Sequence, residues 1–295
     1  MTWFGIVNPV AGRSSSPFGE VLAISKELDL DCVFEESQSP EHVAVLVTEA
    51  IGRGITRFVA VGGDGTAHLV VNAMMNAAPE AKFTLAIVPA GSGSDFVRTF
   101  GHKRGIREGL VRIAATEGDF YSVDVGQVRG TFGTKHFLNA LNVGVAAASV
   151  TKAEALPRWT GSPRYTAAFW LALWRFRNAS IAVAVDRHTF EGDAINVVVA
   201  NGQFFGGGLN IAPRSVLGDG RMDVQVFRGP RRQAFSIMPR VLMGTHLTHK
   251  GVQRYSGTRI RIDAPSNWPI EADGELLGTG AVEIRVIPDA IDFVI

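Results

Sequence analysis

The chain has 295 residues, 46% of them apolar and 19% charged, which is enough for two domains around a sizeable core. A net charge of +1 excludes the bulk basic field that nucleic acid binding calls for, and the single cysteine, Cys32, excludes an internal disulfide framework and fits a reducing compartment. The opening residues lack the basic region and cleavage site of a signal peptide, and no apolar run approaches the roughly 20 residues of a bilayer span, so a soluble, cytoplasmic protein is expected.

Residues 2–7 predict a first buried strand, which ends in Asn8-Pro9-Val10-Ala11-Gly12-Arg13. Gly12 allows close backbone approach there, and Arg13 is a candidate phosphate partner. The serines at 14–16 are placed to cap a helix over 18–28. A short strand over 31–34 follows, then a helix opened by Pro40 with Val43, Leu46, Val47 and Ala50 on one face. Residues 57–61 predict the next strand, which drops into Gly62-Gly63-Asp64-Gly65-Thr66 ahead of a helix over 67–75. Strand, glycine turn and helix N-terminus together make a phosphate-binding arrangement. Asp64 would repel a bare phosphate, so it is expected either to share a Mg²⁺ ion with it or to order the loop by hydrogen bonds. Residues 84–88 predict a further strand, and Pro89-Ala90-Gly91-Ser92-Gly93-Ser94-Asp95-Phe96 leads from it into a helical segment. Strands alternating with helices imply a parallel sheet that binds ligands beyond its strand C-termini, where these three loops should converge.

The pattern changes after Tyr121. Strands are predicted over 122–128, 136–147, 181–186, 194–201, 222–227, 258–262, 282–286 and 290–295, with helices over 163–176 and 231–243. Turns such as Gly218-Asp219-Gly220 and Ala272-Asp273-Gly274 separate the strands. This half predicts an antiparallel, two-layered sheet domain.

Several chemistries are absent from the sequence. There is no G-x-x-x-x-G-K-[ST] loop, no G-x-G-x-x-G, no protein-kinase signature, no G-x-S-x-G and no zinc pattern among the histidines. Acid–base work therefore falls to carboxylates. The richest late group, Glu271-Ala272-Asp273-Gly274-Glu275, reads by itself as a hairpin turn with a charged tip.

Taken together, Asn8-Pro9…Gly12, Gly62-Gly63-Asp64-Gly65-Thr66, Pro89…Gly91-Ser92-Gly93-Ser94-Asp95-Phe96, Asn139…Asn142-Val143-Gly144, Gly206-Gly207-Gly208…Ala212-Pro213, Asp219-Gly220 and Asp273-Gly274-Glu275 span nearly the whole chain. In that order and spacing they resemble the diacylglycerol kinase-like lipid kinases, in particular the soluble bacterial members, to which sphingosine and ceramide kinases are related. The resemblance implies two domains. A nucleotide-binding α/β domain with a parallel sheet would cover residues 1–124, and the last strand, about 287–295, is expected to return to it. An antiparallel β-sandwich over 125–286 would serve lipid and metal.

The resemblance also implies ATP, with its phosphates on Asn8, Pro9, Gly12 and Arg13, on Gly62, Gly63, Asp64, Gly65 and Thr66, and on Gly91 and Ser92. Ser37 stands where the family usually has threonine, and Ser94 where it usually has asparagine, with the loss of an amide's two donors. The implied reaction moves the γ-phosphoryl group of ATP to the hydroxyl of a membrane lipid alcohol; from diacylglycerol it gives phosphatidic acid. Glu275 matches the family's general base, Asp273 is a metal or orientation partner beside it, and Asp64 helps hold Mg²⁺. A structural Mg²⁺ is implied at Asp219 with the backbone carbonyls of Val216 and Arg221. An NAD kinase shares the glycine core, but the Asp219 and Asp273-Gly274-Glu275 turns argue against that alternative; a catalytically weak nucleotide- or lipid-binding relative is a further one. No nucleic acid partner is expected, and a homodimer is the default assembly.

A lipid substrate calls for an apolar surface at the membrane. The stretch from Arg164 to Arg175, with Phe169, Trp170 and Trp174, reads either as that peripheral contact or as a helix packed in the second domain's core.

Overall fold

The computed structural model describes residues 2–11, 16–90, 94–102, 105–116, 118–154 and 163–295. The chain falls into two compact units, Met1–Val123 with Asp289–Ile295, and Asp124–Pro288.

The first unit holds β1 (Trp3–Val7), α1 (Phe18–Glu27), β2 (Cys32–Glu36), α2 (Pro40–Gly52), β3 (Arg57–Gly62), α3 (Asp64–Ala77), β4 (Phe83–Pro89), α4 (Asp95–Thr99) and α5 (Ile106–Ala115). Its strands are all parallel, in the order β4-β3-β1-β2. Residues Ile291 to Phe293 add to β4 as a further parallel strand. Helices cover both sheet faces, so β1, β3 and β4 read as nearly continuous apolar runs. Trp3, Val7, Val59, Val61, Ala86 and Val88 pack with Val21 and Ile24 of α1 and with Leu110 and Ile113 of α5. Phe4, Phe58 and Phe83 meet edge-on, with ring centroids 6.4 and 5.9 Å apart. Phe293 stacks on Phe100 at 4.8 Å and meets Phe96 at 5.1 Å, which gives the returning C-terminal residues an apolar anchor.

Sequence signals explain some of the helix boundaries. Ser39 caps α2 by accepting from the His42 N–H at 3.2 Å, with Pro40 in the first turn. Of the serine run, Ser16 accepts from the Phe18 N–H at 3.2 Å. α3 starts three residues before its predicted beginning, because the Gly63 carbonyl accepts from Thr66 and Ala67 and draws Asp64, Gly65 and Thr66 into the first helical turn.

The second unit continues along β5 (Phe120–Gly130) into β6 (Gly133–Phe137), β7 (Ala140–Gly144), α6 (Val145–Glu154) and α7 (Pro163–Arg175). It then runs through β8 (Ala179–Val185), β9 (His188–Ala200), β10 (Phe204–Phe205), β11 (Leu209–Asn210), β12 (Met222–Arg228) and α8 (Ala234–Leu242). β13 (Val252–Gly257), β14 (Arg259–Asp263), β15 (Pro269–Ala272), β16 (Glu275–Thr279) and β17 (Val282–Val294) complete it. Antiparallel pairing runs β16-β15-β7-β9-β8-β14, then to residues Val282 to Arg285 of β17; β12 pairs with β9 and β13.

This is the predicted α/β-plus-β-sandwich class. Val197 and Val199 of β9 enter the sandwich core beside Leu141, Val224, Ile260 and Trp268. Ile195, Val198 and Ala200 face the other way, onto Leu173 of α7 and Ile237 and Val241 of α8. Both faces of this half of β9 are buried, hence the apolar run Val197–Ala200.

The structure corrects two predicted strands. The 136–147 segment is β6, β7 and the start of α6, broken at Gly144, whose φ of +119° ends the extended run. The segments at 282–286 and 290–295 belong to one strand, β17, that carries Pro288 and an Asp289 of φ 49° within it. α5, β13 and the hairpin strands β15 and β16 have no predicted counterparts.

Candidate active site

Three loops at the C-terminal ends of β1, β3 and β4 are tied to one another. Asn8 follows β1, and its Nδ2 donates to Thr66 Oγ1 at 3.1 Å, while its Oδ1 accepts from the Val10 N–H at 3.1 Å. The loop after β4 is held to the one after β3 by the Ala90 N–H, which donates to the Gly62 carbonyl at 3.1 Å. Asp64 makes a second tie, its carboxylate accepting from the Asp95 N–H at 2.9 Å and the Phe96 N–H at 3.4 Å. Gly62 has no alternative residue, since the Thr66 side chain occupies the space a Cβ would need. The predicted convergence is therefore built from hydrogen bonds, and of the two expectations for Asp64 the structure displays loop ordering. Its place in the first turn of α3 also sets a negative charge at the positive end of that helix.

Other predicted phosphate residues are placed nearby or fall outside the description. Pro9 lies in the turn after Asn8. Ser37 follows β2 with its side chain buried, and its Oγ donates to the Val7 carbonyl at 3.3 Å. Ser94 is fully buried at the head of α4. Gly12, Arg13, Gly91 and Ser92 lie outside the described residues.

In the second unit, Ala272-Asp273-Gly274-Glu275 is a two-residue hairpin between β15 and β16. Asp273 and Gly274 both have positive φ, 52° and 94°, as the Asp-Gly pair of a primed turn requires. The turn differs from an ordinary charged tip in where its carboxylates go. Asp273 is buried, and its carboxylate accepts from three successive backbone amides, Leu138 at 2.8 Å, Asn139 at 2.9 Å and Ala140 at 3.0 Å. Glu275, the predicted base, is exposed at the start of β16. Glu271 has no exposed surface; it accepts from the Gly274 N–H at 2.5 Å and from Asn142 Nδ2 at 2.9 Å. Burial pushes its carboxyl up to about 8; the two donors pull the other way, and the charges of Asp273 and Glu275 add to the rise. Glu271 belongs to the predicted acidic group without a role of its own there, because alternation along Ile270-Glu271-Ala272 does not reveal that both faces of β15 are covered.

This elevated carboxyl carries a stability prediction. The unfolded chain releases the proton near 4.5, and the folded chain retains it to about 8. Its contribution is full below pH 4.5 and is lost as pH rises through 8. Between pH 6 and 9 the thermal unfolding midpoint is expected to fall more steeply for the natural chain than for Glu271→Gln; parallel slopes would refute this.

The predicted metal residues lie in the turn before β12. Asp219 is exposed and accepts from the Arg221 N–H at 3.0 Å, and Val216 is exposed three residues earlier. The Arg221 guanidinium reaches Ser256. The buried Asp124 carboxylate accepts from the Gly220 N–H at 2.7 Å, so oxygen donors meet the turn from two segments. That donor set suits a hard cation such as Mg²⁺. Among the described residues, no three His, Cys, Asp or Glu side chains form a cluster that could hold a metal.

Comparison with known proteins covers both units. Residues 2–128 match the model of the diacylglycerol kinase catalytic domain, and residues 139–295 match that of the YegS C-terminal NAD kinase beta sandwich-like domain. A Shewanella frigidimarina protein named "Probable lipid kinase YegS-like" is 27% identical, over 84% of this chain and 79% of its own length. The diacylglycerol kinase of Bacillus subtilis is 24% identical over 92% of this chain and 89% of that protein. A crystal structure of a diacylglycerol kinase from Bacillus anthracis shares the fold, with a TM-score of 0.75 at 21% identity over 99% of this chain and 96% of that one.

Proposed function

The chain belongs to the diacylglycerol kinase-like lipid kinases, and from that premise we propose that it transfers the γ-phosphoryl group of ATP to the hydroxyl of a membrane lipid alcohol, diacylglycerol first among them. The observation that carries this reading is the hydrogen-bonded set of three loops at the ends of β1, β3 and β4, where backbone amides and the N-terminus of α3 favour phosphate oxygens. Mg²⁺, when bound, would supply charge neutralisation for the phosphates. Asp64 orders the loops that receive the donor. The Asp219 turn, with Asp124 beneath it, would hold a second, structural Mg²⁺. Asp273 orients the hairpin, and Glu275 takes the proton of the attacking hydroxyl. Incubation with ATP and a panel of diacylglycerol, sphingoid bases, ceramide and NAD, read by mass spectrometry, tests the assignment. Phosphatidic acid is the expected product, and phosphorylated NAD with no phospholipid would overturn it.

The lipid is reached from the membrane surface, as a peripheral contact made from the cytoplasm. Among the described residues no helix is long and apolar enough to cross a membrane. What supports a peripheral contact is the outer face of α7 and α8. Ala168, Ala172 and Leu173 are buried, whereas Trp174 is 79% exposed and Phe235 70%. Leu171, Leu242 and Met243 are exposed as well. Trp170 stacks on Phe235 at 4.8 Å, and the Arg231 guanidinium donates to the Trp174 carbonyl at 2.7 Å, so the two helices present one surface. Arg175, Arg177, Arg231 and Arg232 line a cleft beside Trp174, and neither helix contains an acidic residue. Aromatic side chains ringed by arginines suit the interface of an anionic bilayer. The buried side of α7 agrees with the core-helix reading of this segment, and its exposed side is what supports the membrane reading. Trp174→Ala with Phe235→Ala is expected to weaken vesicle binding at least about tenfold, since each ring buries roughly 1.5–3 kcal/mol of apolar surface. Arg231→Gln with Arg232→Gln is expected to weaken it only when the vesicles contain phosphatidylglycerol, by about 1 kcal/mol per arginine. Sedimentation with phosphatidylcholine vesicles, with and without phosphatidylglycerol, separates the two; unchanged binding in both variants would remove this surface from the function.

A further inference from the structure

The hairpin that carries Glu275 is gripped at two backbone positions by two buried carboxylates, and only one of them has a role in the reading above. Asp273 fastens the turn to the segment from Leu138 to Ala140. Glu271 reaches forward three residues to the Gly274 N–H. In a two-residue hairpin the amide of the second turn residue has no ladder partner, so this hydrogen bond is additional to the strand pairing of Ala272 with Glu275. We propose that Glu271 is a positioning residue for phosphoryl transfer: by holding the Gly274 amide it fixes the turn from which Glu275 works.

Three observations favour a role beyond packing. Glu271 sits between Ile270 and Ala272, both fully buried, in a strand whose core an apolar or amide side chain would fill at lower cost, because burying a carboxylic acid is unfavourable. Its second oxygen is held by Asn142 Nδ2, and Asn142 in turn lies 3.4 Å from Asn196 Nδ2, through Oδ1. Asn196 Oδ1 accepts from the Ala146 N–H at 2.9 Å, in the first turn of α6. A line of side-chain amides thus connects the hairpin with β7, β9 and a helix N-terminus, so the carboxyl is referenced to rigid elements on its inner side. Finally, with Asp273 and Glu271 both turned inward, Glu275 alone of the three acids stays exposed. A displacement of about 1 Å in a reacting group can cost on the order of a hundredfold in rate, which gives such support a kinetic consequence.

The inference rests on Glu275 being the base, and the test keeps the two apart. Lipid phosphorylation is measured with Glu271→Ala, Glu271→Gln and Glu275→Gln in the full chain, with kcat and the KM for ATP determined separately and folding followed by thermal unfolding. Glu271→Ala is expected to lower kcat roughly ten- to a hundredfold with KM for ATP within about twofold. Glu271→Gln, which keeps a carbonyl oxygen for the Gly274 amide, is expected to restore kcat to within a few-fold of the natural chain. A residue that serves the fold alone would change kcat only in proportion to the folded fraction. The proposal is overturned if folded Glu271→Ala turns over at the natural rate, or if folded Glu271→Gln is as slow as the alanine variant. Should Glu271→Ala not fold, Glu271→Asp replaces it: a side chain one methylene shorter withdraws the oxygen from Gly274, and an undiminished kcat in that variant is equally fatal. If Glu275→Gln keeps full activity, the base assignment falls and this inference with it. A slow Glu275→Gln beside a fast Glu271→Ala removes the inference only.

Discussion

Glu275→Gln is expected to give a folded chain that binds ATP normally and phosphorylates its lipid about 10²- to 10⁴-fold more slowly, the range that separates reactions with and without a positioned base. The expectation that folding survives comes from the position of the residue. Glu275 is exposed, at the first position of β16, where its backbone pairs with Ala272 and its side chain is not part of the core. Glutamine keeps the size and removes the proton-accepting charge. Because the loss concerns the chemical step, kcat should fall while ATP affinity, measured by titration calorimetry, stays within about twofold. A variant with undiminished turnover would transfer the role of base to another group and withdraw the mechanism proposed for this hairpin.

Asp273→Ala is expected to have the largest effect on stability. The substitution strips three buried backbone amides, those of Leu138, Asn139 and Ala140, of their acceptor at once. Each buried donor left without a partner costs about 1–3 kcal/mol. Alanine must also adopt the φ of 52° that aspartate tolerates better, at about 1 kcal/mol more. The sum, on the order of 4–10 kcal/mol, is a large share of the 5–15 kcal/mol that holds an ordinary domain together. Thermal unfolding should shift down by about 10 °C or more, and Asp273→Asn, which keeps one carbonyl oxygen and the local conformation, should fall between. A midpoint within about 2 °C of the natural chain would mean that the three amides find other partners and that the turn is not anchored as described.

The sequence made some parts of this protein legible because local rules decide them. The run Arg57–Gly62 followed by Gly63 and Asp64 announces a strand, a turn and a helix N-terminus, and the fold contains all three in order. The largest shift is at the helix start, since the Gly63 carbonyl accepts from two later amides, a detail of hydrogen bonding that composition does not encode. The change from helical to alternating periodicity near Tyr121 lies beside the division between the compact units after Val123. α6 was illegible because Ala140 to Ala147, apolar but for Asn142 and Gly144, reads as the continuation of one strand, and the Gly144 backbone breaks it. The aromatic-rich helix α7 was visible, but which side faces β9 and which faces outward depended on where α8 packs.

Glu271 and Glu275 show where local information ends. Both are glutamates on one hairpin, four residues apart, and nothing in their immediate sequence distinguishes them. One is fully buried, with its carboxyl raised to about 8, and the other is exposed. The sequence by itself determined that glycine-bearing loops follow three parallel strands and that an acidic Asp-Gly turn lies late in the chain, because turn and strand chemistry depend on neighbours along the chain. The tertiary structure decided that Asn8, Asp64 and Ala90 tie those loops together, that Asp273 is an anchor, and that Glu271 lies inside. Hydrogen-bond partners and solvent exposure are set by residues dozens to more than a hundred positions away, and only the folded chain brings those residues within reach.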